Sequence, residues 1–177
     1  VRFDEGGEPV EKYRCSSCGY FHIGPAPEKC PVCGASQIAF KPYDGPGDLA
    51  GTRTKDNLKA AFAGESQANR RYTLWRRIAE LEGAPESALN AFDRAAREET
   101  AHALGHLAYL GGCGTTAENL RAAVAGENDE AETMYPKFAA IAEEEGFPEI
   151  AYYFRNLARY EGEHRDGYQQ ALDEMGA

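Results

Sequence analysis

Four of the five cysteines fall as two Cys-x-x-Cys pairs, CSSC at Cys15 and Cys18 and CPVC at Cys30 and Cys33. Glycine follows each pair, as Gly19 and Gly34, and lets the backbone turn tightly and aim N–H groups at thiolate sulfur. Four thiolates at this spacing make a tetrahedral site, open on spacing alone to zinc or to a single iron. So short a segment buries little apolar surface, and the metal is expected to hold it folded.

A second constellation repeats. NLKAAFAGE runs from Asn57 to Glu65 and NLRAAVAGE from Asn119 to Glu127, 62 residues on. At the same offset Glu99 pairs with Glu161 and His102 with His164. Each copy therefore offers one Glu from a first helix and Glu-x-x-His from a second, and residues three apart share a helix face. A lone helical Glu is usually solvated, and a single Glu-x-x-His arises by chance in acidic chains. Two such sets at one offset, beside Leu58, Ala61, Phe62, Leu120, Ala123 and Val124, are a different matter. A pseudo-two-fold axis would gather four carboxylates and two imidazoles, and that much interior charge calls for two divalent cations. This is the ligand pattern of ferritin-like di-iron and di-manganese bundles.

Helices must position these groups. Residues 1–40 are turn-rich and dotted with Tyr13, Tyr20, Phe21 and Phe40, as small β-hairpins around the cysteines would be. KPYDGPGDLAGTR, residues 41–53, reads as a linker. The bundle is expected over 54–177. Thr54 is the expected N-cap of a helix to Glu82; Gly83 stops it and Pro85 opens a second to about Leu110. GGCGTT follows, with too little of a phosphate-loop pattern to count as one. Thr116 starts a third helix to Glu145, and Gly146 and Pro148 precede a fourth to about Met175. The fold class is thus mainly α, a four-helix bundle with one longer crossover behind a four-cysteine module.

The repeat also slips. From Tyr72 and Tyr135 onwards, YTLWRRIAELEGAPE aligns with YPKFAAIAEEEGFPE at an offset of 63. One added residue in an α-helix rotates everything beyond it by about 100°, yet the apolar positions agree on both flanks. A π-bulge near residues 128–135 would absorb the residue and aim Glu130, which lies inside the interval. Pro136 supplies a rival account, a kink. Return to 62 by Glu99 and Glu161 predicts a compensating residue in the second helix, between Glu86 and Glu99, as a second bulge or a longer helix entry.

Composition narrows the partners. A net charge of -10 with no basic run argues against nucleic acid. No 18-residue apolar run marks a membrane span, and VRFDEGGEPV lacks a signal-type region. With paired cysteines read as metal ligands, these features point to the cytoplasm. No dinucleotide fingerprint appears, so any NAD(P)H-dependent reductase or electron-carrier protein must be separate. The linker could extend roughly 45 Å and the first helix about 43 Å, so length does not decide whether the module serves its own bundle or a partner's.

Together with GENDEAETMYPKF, residues 126–138, these motifs resemble rubrerythrin over almost the whole chain, in the reverse order with the rubredoxin-like module first. The resemblance implies a non-haem di-iron peroxidase that reduces hydrogen peroxide to water and protects against oxidative stress. It implies di-iron ligands Glu65, Glu99, His102, Glu127, Glu130, Glu161 and His164, with a mononuclear iron on Cys15, Cys18, Cys30 and Cys33. It also implies that Glu130 and His102 exchange on one iron, carboxylate with ferric and imidazole with ferrous. Glu130 has Ala68 as its mate, so the spare carboxylate stands on one side only. Tyr72 and Tyr135 are candidate hydrogen-bond donors to oxygen ligands; His106, one turn after His102, is not matched as a ligand, and His22 and Cys113 take no role. The resemblance favours a homodimer, with segment exchange an option. A ferroxidase would use the same ligands, and a zinc ribbon on a metal-braced bundle is the non-catalytic alternative.

Overall fold

The computed structural model describes residues 11–45, 47–112 and 114–176, so the expectations for residues 1–10 and for Cys113 fall outside it. The chain divides into two compact units, Val1–Cys113 and Gly114–Ala177. Its class is mainly α, a small four-cysteine module followed by helices of ferritin-like type.

In the first unit, β1 (Lys12–Cys15), β2 (Phe21–Ile23) and β3 (Phe40–Pro42) form an antiparallel sheet in the order β2-β1-β3. Tyr13 lies opposite His22 on one side and Pro42 on the other. This sheet carries Cys15 into a core with Cys18, Cys30 and Phe40, against which Tyr13, Tyr20 and Val32 pack. Tyr20 meets Phe40 edge-on, centroids 6.5 Å apart, a favoured aromatic geometry.

Two helices complete that unit, α1 (Arg53–Leu81) and α2 (Glu86–Tyr109). The cap of α1 is Thr52, not Thr54: its Oγ1 accepts from the Lys55 N–H at 3.2 Å and donates to the Leu49 carbonyl at 2.9 Å. Small side chains let the helices approach closely, with Ala68, Ala79, Ala101, Ala103 and Ala108 buried along them.

In the second unit, α3 (Thr116–Asp129), a π-helical segment (Glu130–Met134) and α4 (Tyr135–Glu144) run as one rod, followed by α5 (Pro148–Glu174). Thr116 opens α3, but the cap is Thr115, in a reciprocal box with Glu118: the Glu118 N–H donates to Thr115 Oγ1 at 3.3 Å, and the Thr115 N–H to Glu118 Oε2 at 2.7 Å. The predicted bulge is present, since the Tyr135 N–H donates to the Glu130 carbonyl, five residues back. Pro136 follows it within the first turn of α4.

Of the two forms expected for the compensating residue, the structure shows a longer entry into the second helix and no second bulge. Helix α2 contains no bulge, and Glu99 and Glu161 stand at equal distances from the first residues of their helices, Glu86 and Pro148. Pro85 sits outside its helix as the N-cap residue, whereas Pro148 is already inside, with Phe147 as N-cap. The connection before α2 is therefore one residue longer than that before α5, and this restores the offset. A proline is accepted in either place because neither the cap nor the first turn uses its missing N–H.

Candidate metal centres

The cysteine knuckles are two copies of one backbone design. The Cys15 N–H donates to the Tyr20 carbonyl at 2.9 Å and the Cys30 N–H to the Ala35 carbonyl at 2.8 Å; the Gly19 and Gly34 N–H groups return to the Cys15 and Cys30 carbonyls, each at 2.9 Å. Both glycines take left-handed backbone, φ 77° and 74°, which a side chain would disfavour. The four sulfurs converge, with Cys15 Sγ 3.8 Å from Cys33 Sγ and Cys18 Sγ 3.6 Å from Cys30 Sγ. A tetrahedron with metal–sulfur bonds of about 2.3 Å has edges of about 3.8 Å, so the cage already has the size of a metal-bound one.

Proton chemistry differs around the cage. The backbone N–H of Ala35 holds the Cys33 thiol down to about 7, although burial opposes it, while burial pushes Cys18 and Cys30 up. Burial penalises the lone thiolate, and a cation removes the penalty. Cys33 is exposed and the other three are buried, so the cage has one wet corner.

Each helical hairpin builds one carboxylate–imidazole triad. In the first, α1 supplies Glu65 and α2 supplies Glu99 and His102; in the second, α3 supplies Glu127 and α5 supplies Glu161 and His164. His102 Nδ1 lies 2.9 Å from Glu99 Oε2 and 4.0 Å from Glu65 Oε1. His164 Nδ1 lies 2.7 Å from Glu161 Oε2 and 3.7 Å from Glu127 Oε2. Ligands around a first-row divalent ion sit about 2.0–2.2 Å from it, hence at most about 4.4 Å apart, and both triads fit one ion each.

The carboxylates behave as groups that need a cation. A hydrogen bond to Glu99 raises Glu65 above the ordinary carboxylate range, assisted by burial, while the same bond lowers Glu99. The two carboxylates thus stand close enough to oppose one another's ionisation, the burden falling on Glu65. Glu127 is raised by burial and then by the charge of Glu161. A divalent ion between them would offset that repulsion and favour both carboxylates ionised. The donor sets fit iron at both kinds of site, a di-iron centre and a single thiolate iron.

Glu130 does not belong to the three converging donors of the second triad. It lies beside them at the start of the π segment, close enough for its charge to raise both Glu127 and Tyr135. For Tyr135 burial is the larger cause. Its ring stacks on Phe154 at 5.9 Å and meets Phe138 at 6.3 Å. The first hairpin repeats this cluster, with Tyr72 5.6 Å from Trp75 and 6.3 Å from Phe92. Both tyrosines are packing residues, and Tyr135 also stands close enough to the second triad to feel the charges of Glu161 and Glu127. His106 is partly buried and lowered by burial, then by the charge of His102; it is not in the triad.

Two straps were missed by motif reasoning. Buried Asn69, one turn after Glu65, donates through Nδ2 to the Ala96 carbonyl at 2.6 Å and to Thr100 Oγ1 at 2.8 Å. Thr100 adjoins Glu99, so this crosslink fixes how Glu65 faces Glu99. In the second hairpin Arg165, next to His164, donates to Asn128 Oδ1 and Glu132 Oε1, each at 3.2 Å. A polar residue beside Ala68 on a buried stripe was the one available signal for Asn69.

Comparison with known proteins bears on both centres. Residues 56–172 match the rubrerythrin family and residues 13–41 match the rubredoxin-like domain of rubrerythrin. A rubrerythrin of Porphyromonas gingivalis is 44% identical over 137 residues, covering 70% of this chain and 68% of its own length. Rubrerythrin-1 of Clostridium acetobutylicum is 39% identical over 141 residues, 70% of this chain and 72% of that one. Reverse rubrerythrin-1 of the same organism is 30% identical over 179 residues and spans 93% of this chain and 98% of its own. With the thiolate cage preceding two hairpins that each carry a Glu and a Glu-x-x-His, this chain belongs to the rubrerythrin family, in the order with its rubredoxin-like module first.

Proposed function

We propose that this protein is a peroxidase that reduces hydrogen peroxide to two waters, taking two electrons and two protons per turnover, with electrons relayed through the four-cysteine centre. The observation that carries this reading is the presence in one chain of a thiolate cage and two carboxylate–imidazole triads. A structural ribbon would need only the cage, and a purely bracing site has no use for the extra carboxylate of Glu130.

In this reading Glu65, Glu99, His102, Glu127, Glu130, Glu161 and His164 hold two irons, and Cys15, Cys18, Cys30 and Cys33 hold one. When bound, ferrous iron at the triads supplies the two electrons that break the O–O bond. The protein's part is charge and geometry. Four carboxylates match two divalent ions, and each imidazole Nδ1 already stands beside the carboxylate that would share its ion, 2.9 Å from Glu99 and 2.7 Å from Glu161. Glu130 adds a harder, anionic donor as positive charge grows, in exchange for His102. Tyr72 and Tyr135 close one end of each triad with aromatic surface and offer a phenolic proton.

The module over 1–40 and the bundle over 54–177 are joined by residues 41–53. No helix among the described residues is long and apolar enough to cross a membrane. We place the protein in the cytoplasm, where thiolates stay reduced, working as a homodimer, with segment exchange an option, and drawing electrons from a carrier protein or a separate NAD(P)H-dependent reductase. Rapid mixing of the fully reduced protein with hydrogen peroxide or with oxygen tests the reading. Peroxide should be the faster oxidant by far; faster oxidation by oxygen, with iron accumulating on the protein, would replace peroxidase by ferroxidase.

A further inference from the structure

The four-cysteine module and α2 meet through two glycines. A Cβ on Gly105 would lie 2.7 Å from Gly19 Cα and 3.1 Å from Gly19 O, and one on Gly19 would lie 3.0 Å from the Ala101 carbonyl oxygen. Those are backbone atoms, so no side-chain rotation relieves the overlap. Gly19 is the residue after Cys18, and Gly105 comes three residues after His102 on α2. The contact is braced on both sides: Tyr43 Oη donates to the Ala108 carbonyl at 2.7 Å, and the Arg14 guanidinium lies 3.9 Å from the ring centroid of Tyr109. Ala101, only 2% exposed, belongs to the same buried cluster as Cys15, Cys18 and Cys30. Cys18 and His102 also line a common cavity of about 190 Å³.

We propose that Gly19 and Gly105 form the docking contact that fixes the thiolate module on α2, making the turn after Cys18 the point where electrons pass to Glu65, Glu99 and His102 of the same chain. The inference rests on the relay proposed above. It gives the cage a direction: Cys33, the exposed corner, faces the external reductant, and buried Cys18 faces the triad. In each transfer one electron leaves ferrous iron in the cage, which becomes ferric, and one reaches ferric iron at the first triad, which becomes ferrous. A one-electron carrier protein then reduces the cage again. Because Glu65, Glu99 and His102 all belong to the first hairpin, the route stays within one chain whichever chain supplies the second hairpin.

Gly105→Ala is the test, and its sign is informative. In a helix interior this change ordinarily stabilises, as Gly167→Ala in α5 should, where nothing lies within 4 Å. Docking predicts the opposite for Gly105→Ala. Amide hydrogen exchange at residues 15–20 and 101–109 should accelerate at least about tenfold, with iron content and the thiolate-to-iron absorption band unchanged. After one oxidation by peroxide, return of electrons from the reduced cage should slow by roughly tenfold or more, the scale on which ångström misplacement acts. The double variant Arg14→Ala, Tyr43→Phe should shift both readouts the same way without altering α2. Unchanged exchange in both variants would overturn the docking; faster exchange with unchanged electron return would overturn the route. Should the parent protein fail to react with peroxide, the functional reading falls, while the exchange arm still decides the contact.

Discussion

Deleting Thr133 from the π segment should convert the third rod into a continuous α-helix without turning its far end. The added residue is absorbed locally, so the shortened chain keeps Tyr135 and Phe138 on the face that meets Phe154. The expected cost comes from Pro136 instead. In the shortened helix the proline ring would meet the carbonyl of Ala131, four residues back, where α1 places Thr73 over Asn69. There Thr73 Oγ1 donates to the Asn69 carbonyl at 2.8 Å. A proline in an α-helix interior costs about 3 kcal/mol. At about 2–4 °C per kcal/mol for a chain of this size, the melting temperature should drop by about 6–12 °C. Pro136→Thr in the shortened chain should recover most of that drop, since it copies α1. Thermal unfolding followed by far-ultraviolet circular dichroism, with iron measured in each sample, provides the assay. If the added residue were plain helix, its deletion would swing Tyr135 out of the aromatic cluster by about 100°, and Pro136→Thr would recover nothing. That outcome would refute the reasoning. Turnover should stay low even in the recovered chain, because Glu130 loses the backbone that aims it.

Asn69→Ala removes two interhelical hydrogen bonds, worth together about 1–3 kcal/mol; a melting point within a degree of the parent would show that Asn69 is no strap. Glu130→Ala should retain both irons, since six proposed ligands stay, yet lose most peroxide turnover; loss of iron in proportion to activity would make Glu130 an ordinary ligand. In metal-free protein at pH 7, iodoacetamide should modify Cys33 before Cys18 or Cys30, as its thiol is held down to about 7 and theirs are raised. The sign for folding follows: with a depressed pKa, the contribution of Cys33 is complete above pH 9, the ordinary thiol value, and fades as pH falls towards 7. Dithionite should bleach the thiolate-to-iron band of protein purified from its native host, and finding zinc alone there would end the relay.

The donors were legible because metal chemistry restricts residue type and helix geometry restricts spacing. Glu65, Glu99 and His102 could be matched with Glu127, Glu161 and His164 by counting alone. The slip was legible for the same reason, since a rotation of about 100° is incompatible with two flanks that stay apolar. Counting could not say which of two helices and a loop took up the compensating residue, because Pro85 and Pro148 suit a cap and a first turn equally. Nor could it choose Thr52 over Thr54, two threonines two residues apart. The choice fell to the backbone before the helix, which gives Thr52 Oγ1 the Leu49 carbonyl as a second partner. Gly105 was illegible for a deeper reason: in a helical pattern it reads only as weak propensity, and its purpose lies 86 residues away at Gly19.

The straps show why the repeat could not predict its own supports. At an offset of 62 the mate of Asn69 is Ala131, which sits inside the π segment. The widened turn leaves no equivalent of the Asn69 crosslink, and the second hairpin is tied instead by Arg165, which reaches Asn128 before that segment and Glu132 within it. The mate of Arg165 is Ala103, buried on α2 two residues from the glycine that receives the thiolate module. Two residues is about 200° of helix turn, so Ala103 is buried on a different face from Gly105, and an arginine there would be buried without the partners that Asn128 and Glu132 give Arg165. The two hairpins therefore share their metal donors and differ around them, one crosslinked through Asn69 and the other widened by the π segment beside Glu130 and tied by Arg165.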